Sequence, residues 1–160
     1  MTTLYTFRRA THADLAEILQ FPLNRTELFY FFPSATYPLT LKQLKQHLST
    51  RYEATIMLEG DQIVGFANFY NVQNQNIAFI GNVIIKPEKR RQGLGKKLLQ
   101  TMIRTGFRQL HLKEIHLSCY KQNTSALLFY THLGFKPYAI ETRPDPEKQP
   151  AELIHLRVTN

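Results

Sequence analysis

The spacing of hydrophobic positions changes along the chain and predicts its strands and helices. Apolar runs at 54–58, 63–69 and 77–85 predict three strands, joined by turns at 59–62 and in the polar stretch 71–76. After Gly93 the apolar positions recur every three or four residues as far as Leu110, which predicts an amphipathic helix. The middle of the chain is therefore three strands followed by one long helix.

Before these strands, residues 7–11 predict an edge strand, and a helix follows through Leu15 and Ile18. Thr40 has the position of an N-cap for another helix, with Gln43 in the capping-box position. The first third of the chain therefore adds one strand and two helices.

After the long helix, polar and apolar residues alternate through 115–120 and predict a strand buried on one side. Asn123 is expected to cap a short helix that Gly134 ends. Two late strands are predicted around 138–140 and 152–158, separated by a polar loop at 143–147. This order of elements predicts a single mixed α/β domain over residues 1–160.

Composition narrows the class of protein. With 160 residues and 43% hydrophobic content, the chain can bury a globular core. Cys119 is the single cysteine, so no intramolecular disulfide and no cysteine-rich zinc site is expected. We find no signal-peptide pattern at Met1–Phe7 and no stretch of ~20 apolar residues. These features predict a cytoplasmic protein without a membrane partner or a metal.

The chain has a net charge of +8, which favours a polyanionic partner. Charge alone does not distinguish nucleic acid, a membrane surface and a phosphorylated cofactor, and most basic runs are simply solvated. Several of the cations cluster between the third predicted strand and the long helix: Lys86, Lys89, Arg90, Arg91, Lys96 and Lys97.

This basic cluster surrounds a glycine-bearing turn between a strand and a helix. The first N–H groups of a helix lack partners within it, and the helix dipole attracts an anion there. Gly93 and Gly95 remove side chains that would keep a phosphate away from the backbone. A dinucleotide fingerprint fails because Leu98 stands at its third glycine, and a Walker P-loop fails at Arg90 and Lys97.

The spacing Arg-x-x-Gly-x-Gly, formed by Arg90, Gly93 and Gly95, resembles the acetyl-CoA pyrophosphate signature of the GNAT superfamily of N-acetyltransferases. The block from Asn123 to Phe135 is similar to that family's Asn-x-x-Ala-x-x-x-Tyr-x-x-x-Gly-Phe pattern, with Tyr130 as its tyrosine. The resemblance implies a GNAT-like domain: a central, mostly antiparallel sheet with splayed middle strands and flanking helices.

The resemblance also implies the cosubstrate, acetyl-CoA, and direct attack on it by an amine in a ternary complex. Tyr130 would be the catalytic acid that protonates the leaving thiolate, since a thiol of pKa ~8.5 leaves more easily when protonated. The implied cofactor-binding residues follow the two motifs and the preceding strand: Val83, Ile85, Arg90, Arg91, Gln92, Gly93, Leu94, Gly95, Lys96 and Asn123.

One feature departs from the family. Many relatives place a glutamate on the fourth strand as general base, and residues 77–85 contain no carboxylate. The base is left unassigned among several conceivable residues: Glu27, Glu53, Tyr37, His47, His111 and His116. The missing carboxylate keeps open a degenerate domain that binds CoA as a sensor or scaffold. A basic nucleic-acid-binding module is a weaker alternative, because no recognition motif accompanies the charge.

The acceptor is predicted from the aromatic segment at residues 28–32 together with Tyr37. Acidic residues near the same entrance are few, chiefly Glu27 and Glu53, so a polyamine would lack compensating charge. We therefore expect a small molecule or peptide with one amine and an apolar or aromatic body. Turnover should rise with pH as the amine loses its proton. The resemblance leaves a homodimer open.

Overall fold

A computed structural model describes residues 2–160. Seven strands form one sheet in the order β1-β2-β3-β4-β5-β7-β6. The strands have these bounds: β1 Tyr5–Arg9, β2 Tyr52–Glu59, β3 Gln62–Gln73, β4 Ile77–Ile85, β5 Glu114–Tyr120, β6 Lys136–Pro144 and β7 Pro150–Thr159. Every pairing is antiparallel except that between β4 and β5. The predicted mixed α/β fold with a mostly antiparallel sheet is confirmed.

Helices cover both faces of the sheet. Their bounds are α1 Leu15–Ile18, preceded by a 3-10 turn at His12–Asp14, then α2 Arg25–Phe31, α3 Leu41–Leu48, α4 Leu94–Arg104 and α5 Thr124–His132. Residues of α1, α2 and α3 pack on one face around Ile56, Phe66 and Ile84. Residues of α4 and α5 pack on the other face around Met57 and Phe69. No helix within residues 2–160 is long and apolar enough to cross a membrane.

The sheet opens between its two parallel strands. β4 and β5 pair only at Ile77–Glu114, Ala78–Ile115 and Phe79–His116, and no pairing follows. The remaining part of β4, from residue 80 to residue 85, therefore has a paired strand only on its β3 side. The predicted splay of the middle strands is confirmed, and the gap that it leaves forms a wedge.

Several local predictions need correction. β5 was predicted to be buried on one side, but His116 and Tyr120 on its other face are also buried. The polar stretch 71–76 is only partly a turn, since β3 continues to Gln73. β6 likewise runs to Pro144, into the predicted loop. Strands that pair with long partners extend through polar residues because ladder hydrogen bonds do not depend on side-chain polarity.

Both capping predictions are partly wrong. Thr40 does accept from the Gln43 N–H, but the Gln43 side chain bonds the backbone of Thr36 instead of closing a capping box. Asn123 begins α5, yet its side chain makes no capping hydrogen bond. Its amide is therefore free for another partner.

Candidate active site

A cavity of about 110 Å³ occupies the wedge between β4 and β5. Its lining comes from both strands, from α2, from the start of α5, and from single residues of neighbouring elements. The lining residues include Tyr30, Phe31, Arg51, Tyr70, Gly81, Asn82, Ser118, Cys119, Tyr120, Asn123, Tyr130 and Arg143. The second motif block thus reaches the strand gap through Asn123 and Tyr130, whereas the residues of the glycine-bearing turn do not line this cavity.

Tyr130 reaches this cavity from α5, and its hydroxyl makes no hydrogen bond with the described residues. Burial raises the pKa of this phenol above its ordinary value, with further contributions from Cys119 and Tyr70. Tyr130 is therefore protonated at neutral pH and has a proton to donate. The role of Tyr130 as the catalytic acid stays a prediction, and its place in the cavity lining is the geometry that this role requires.

Cys119 also lines the cavity, and burial raises the pKa of its thiol to about 11. A thiol in that state is a poor nucleophile at neutral pH. The geometry therefore does not favour an acetyl-cysteine intermediate, and it fits direct attack by the amine.

The phosphate turn presents an open helix end. Gly93 precedes α4 in the left-handed region with φ +79°, and a Cβ added there would touch nothing within 4 Å. Among residues 2–160 no side chain caps this helix, so its first N–H groups are available to a ligand. The side chain of Leu94 is buried in the core, which leaves only its backbone for a ligand. Gly95 packs under Phe129, where a Cβ would lie 3.3 Å from Cζ.

The basic cluster divides into two groups. Lys86, Lys89 and Arg90 each contact a carboxylate, namely Glu17, Glu59 and Glu27. Arg91, Lys96 and Lys97 are exposed and form no ion pair with the described residues. Lys97 also lies over the Tyr5 ring, 5.8 Å from its centre. Three uncompensated cations beside an uncapped helix end fit a polyphosphate.

Arg90 occupies a different position from the one expected of a phosphate ligand. Its guanidinium donates to Glu27 Oε1 at 2.9 Å, to the Phe21 carbonyl at 3.1 Å and to the Ile85 carbonyl at 3.0 Å. All three nitrogens are therefore used within the protein. The side chain fixes the turn against α2 and the end of β4.

The other predicted cofactor residues lie along the wedge and turn. Val83 and Ile85 are half-buried on the unpaired part of β4, and the Ile85 carbonyl already accepts from Arg90. Gln92 is exposed, with its amide 3.4 Å from the Glu88 carbonyl. Asn123 lines the cavity at the opposite end from this turn. In chain order Val83 and Ile85 thus lie between the cavity-lining residues of β4 and the phosphate turn.

A bulge in β4 shapes the cavity wall. Asn82 has φ +51° where one extra residue interrupts the pairing with β3. Beside it, a Cβ on Gly81 would lie 2.7 Å from the Tyr70 ring, so a glycine is required at this position. Close packing under Tyr70 therefore explains Gly81.

The side chain of Asn82 anchors α2 and α3 to this bulge. It donates to the Phe31 carbonyl at 2.7 Å, and its oxygen lies 2.9 Å from Asn68 Nδ2 and 3.0 Å from His47 Nε2. Burial, together with the charge of Arg51, lowers the pKa of His47 to about 4. His47 is therefore neutral at pH 7 and a weak base.

This pKa predicts how stability depends on pH. His47 binds its proton in the unfolded chain below pH ~6.5 but in the native state only near 4, so acidification favours unfolding in that window. Between pH 7 and pH 4.5 the wild type should lose about 2 kcal/mol more free energy of unfolding than His47→Gln. Urea denaturation at the two pH values measures this difference, and equal losses would contradict it.

A series of three hydrogen-bonded side chains, which the sequence did not indicate, begins in the cavity wall at Ser118. Ser118 Oγ lies 2.7 Å from His155 Nδ1, and His155 Nε2 lies 3.1 Å from Glu141 Oε2. The hydrogen bond from His155 lowers the pKa of Glu141, so this carboxylate is ionised at neutral pH. A hydroxyl, an imidazole and a carboxylate in this order can move a proton away from the cavity.

The bases considered from sequence are placed elsewhere. Glu27 and Glu53 are ion-paired with Arg90 and Arg9. His116 bonds Tyr138 and Glu114 outside the cavity lining. His111 lies near the far end of β5, and Tyr37 borders a second cavity. No Asp or Glu of residues 2–160 lines the wedge cavity, and no group of three potential metal ligands occurs among them.

Comparison with known proteins now identifies the class. The sequence profile described as the acetyltransferase (GNAT) family matches residues 15–135 of the chain. The chain belongs to this family. It is therefore an N-acetyltransferase, and acetyl-CoA is its acetyl donor.

Solved structures agree with the fold. A spermidine N-acetyltransferase from Vibrio cholerae, in complex with CoA and spermine, has TM-score 0.82 at 18% identity, covering 97% of this chain and 95% of the other. The ribosomal-protein-S18-alanine N-acetyltransferase of Escherichia coli has TM-score 0.76 at 20% identity, covering 98% and 94%. A Salmonella typhimurium protein solved with its cofactor acetyl-CoA has TM-score 0.73 at 18% identity, covering 98% and 94%. At these identities the likeness establishes the shared fold.

Proposed function

We propose that this acetyltransferase acetylates the primary amine of a small molecule or peptide, by direct attack within a ternary complex. The observation that carries the proposal is the wedge cavity, which is lined by Tyr130, Asn123 and the part of β4 that β5 leaves unpaired; the same strand leads on to the uncapped start of α4. The acceptor has one reacting amine and an apolar or aromatic body, because Tyr30, Phe31 and Tyr70 form the acceptor side of the wall.

In this proposal the N–H groups at the start of α4 bind the pyrophosphate of acetyl-CoA, and Arg91, Lys96 and Lys97 neutralise its charge. Gly93 allows the close approach, Gly95 makes room for the Phe129 ring beneath the turn, and Gln92 and the Leu94 backbone border the site. Arg90 acts differently from the expectation, by holding the turn in position through Glu27. The backbone of Val83 and Ile85 and the free amide of Asn123 guide the pantetheine arm into the wedge.

Two proton transfers complete the reaction. The amine nitrogen forms a bond to the thioester carbon, the carbon–sulfur bond breaks, and Tyr130 gives its proton to the departing sulfur. The proton lost by the amine passes to Ser118 and on to His155, whose other nitrogen faces Glu141. This chain supplies the base that the missing β4 carboxylate would have supplied. Solvent then returns a proton to Tyr130.

The experiment that tests the function follows thiol release from acetyl-CoA across a panel of amines and peptides. Thermal unfolding with CoA is measured in parallel, because a ligand bound only by the native state raises the Tm. Amine-dependent thiol release supports the proposal. A protein stabilised by CoA that releases no thiol with any acceptor is a CoA-binding sensor instead.

The relay makes a separate prediction. His155→Gln and Ser118→Ala should each lower kcat about tenfold at pH 7, with unchanged affinity for CoA, and the double variant should lose no more than either. The loss should shrink above pH 9, where solvent hydroxide can take the proton that the attacking amine loses. A defect of constant size across the pH profile would mean that these residues only support the fold.

We also propose a cytoplasmic location, since a chain with one buried thiol suits a reducing compartment. The homodimer remains a prediction from the family resemblance. Size-exclusion chromatography with light scattering measures it directly.

A further inference from the structure

Arg51 is a cation in the wedge cavity without an anionic partner. It precedes β2, and its guanidinium lies over the Tyr70 ring at 4.2 Å from the centre. Its Nε and Nη1 are buried and have no hydrogen-bond partner in residues 2–160. None of the ion pairs among those residues includes it. Most other buried charges in proteins are paired, because desolvating an unpaired ion costs several kcal/mol.

Its protein neighbours do not replace an anion. Nη2 lies 2.9 Å from His47 Nε2, which belongs to a neutral ring and also faces Asn82. One ring nitrogen either donates or accepts, so the tautomer that donates to Asn82 leaves Arg51 without any acceptor. The contact with Tyr70 contributes about 0.5–2 kcal/mol, less than the cost of burying the charge.

A second guanidinium, partly compensated by Glu141, borders the same cavity. Arg143 borders the cavity from β6, while its partner Glu141 is shared with His155 and is not part of the lining. Two arginines and no carboxylate therefore border the space where an acceptor amine must enter. Such a wall repels a polyamine and attracts an anion.

The donor phosphates do not account for Arg51. The ring of Tyr70 packs against both Arg51 and Gly81, so Arg51 is near the Gly81 end of this segment of β4. The phosphate turn begins beyond Ile85, at the other end. Ile85 is four residue steps after Gly81, a distance of about 13 Å along β4. The anion that Arg51 faces must therefore enter with the acceptor.

Resting on the proposed function, we infer that the acceptor is an amine that carries a carboxylate a few bonds away, as an amino acid does. Arg51 and Arg143 bind this carboxylate. The short spacing follows from the volume, since about 110 Å³ accommodates the amine and its anion only when they are close together. The apolar body of the acceptor extends along α2 into a second cavity of about 250 Å³, which shares Pro33 with the first and is bordered by Leu28 and Phe29.

The test compares amino acids with the amines that remain when the carboxylate is removed: phenylalanine with phenethylamine, leucine with 3-methylbutylamine, and tyrosine with tyramine. Spermidine and a tripeptide complete the panel. In the wild type, kcat/KM should be about thirtyfold higher for the amino acid in at least one pair. Arg51→Met should reduce that ratio below about threefold, and Arg51→Lys should retain most of it.

A stability measurement separates binding from a structural role. Without ligand, Arg51→Met should be at least as stable as the wild type, because it removes an unpaired buried charge while filling the same space. A merely structural arginine would instead lose stability on this substitution.

Three outcomes overturn the inference while leaving the proposed function intact. The first is a higher kcat/KM for the amine than for the amino acid in every pair, and the second is a higher kcat/KM for spermidine or the tripeptide than for any amino acid. The third is an Arg51→Met variant that retains the wild-type ratio of kcat/KM between amino acid and amine. Thiol release with no member of the panel, despite CoA binding, overturns both. No stabilisation by CoA overturns the proposed function at its first step.

Discussion

Replacing Tyr130 with phenylalanine is expected to lower kcat about a hundredfold, within the range that general acids supply. The substitution removes one hydroxyl that bonds nothing in the described residues, so shape and apolar contacts stay unchanged. Affinity for CoA and the Tm without ligand should therefore match the wild type. Because the pKa of Tyr130 is raised, its ionisation should cause no fall in wild-type rate below pH 10.

Tyr120→Phe is the matched control, since it removes a second phenol hydroxyl from the same cavity. Tyr120 packs on Phe29 with ring centres 4.4 Å apart, and this packing survives the change. Its kcat should stay within about threefold of the wild type. Equal losses of kcat in both variants, or a lower Tm in Tyr130→Phe alone, would assign Tyr130 to structure.

Gly93→Asp should weaken CoA binding about a hundredfold while the protein remains folded. The Cβ enters open space, and the left-handed backbone of Gly93 costs a non-glycine residue on the order of 1 kcal/mol. The new carboxylate would stand at the uncapped end of α4, where its charge opposes the pyrophosphate and competes for the same N–H groups. Isothermal titration with CoA measures the loss.

Gly93→Asn controls for shape and backbone strain, since asparagine matches aspartate in size, tolerates the left-handed region and lacks the charge. It should lose no more than about tenfold in affinity. If Gly93→Asp bound CoA normally, the phosphate turn would be in the wrong place. If both variants lost affinity equally, side-chain volume rather than charge would be the cause.

The sequence predicted the structural elements that depend only on residues close together in the chain. The strand before Pro87, the turn at Gly93 and the helix after it follow from local spacing, and the structure contains all three. The family resemblance added the splay, which no hydrophobic pattern expresses. The Arg90 prediction shows the limit, because its partner Glu27 lies 63 residues earlier in the chain.

The proton relay and the unpaired Arg51 could not be predicted from the sequence, for the same reason. Ser118 and His155 meet because β5 and β7 pair in one particular register, and Glu141 reaches His155 from β6. A shift of that register by one residue would separate them. In the sequence Arg51 has no motif around it, and only the tertiary packing of Tyr70 and His47 makes it a buried charge without an anionic partner among residues 2–160.

The part of β4 that has no partner on its β5 side, residues 80–85, also carries a risk of pairing with another chain. A strand that offers free backbone groups is a template on which another chain can add by edge-to-edge pairing. Here that exposed length, residues 80–85, is apolar except for Gly81 and Asn82 and lies inside the sheet rather than at its rim. The bulge at Asn82 interrupts its regular register, which hinders a foreign strand while leaving room for a narrow ligand. The irregularity that shapes the wedge is therefore also a feature of the kind that discourages edge-to-edge pairing.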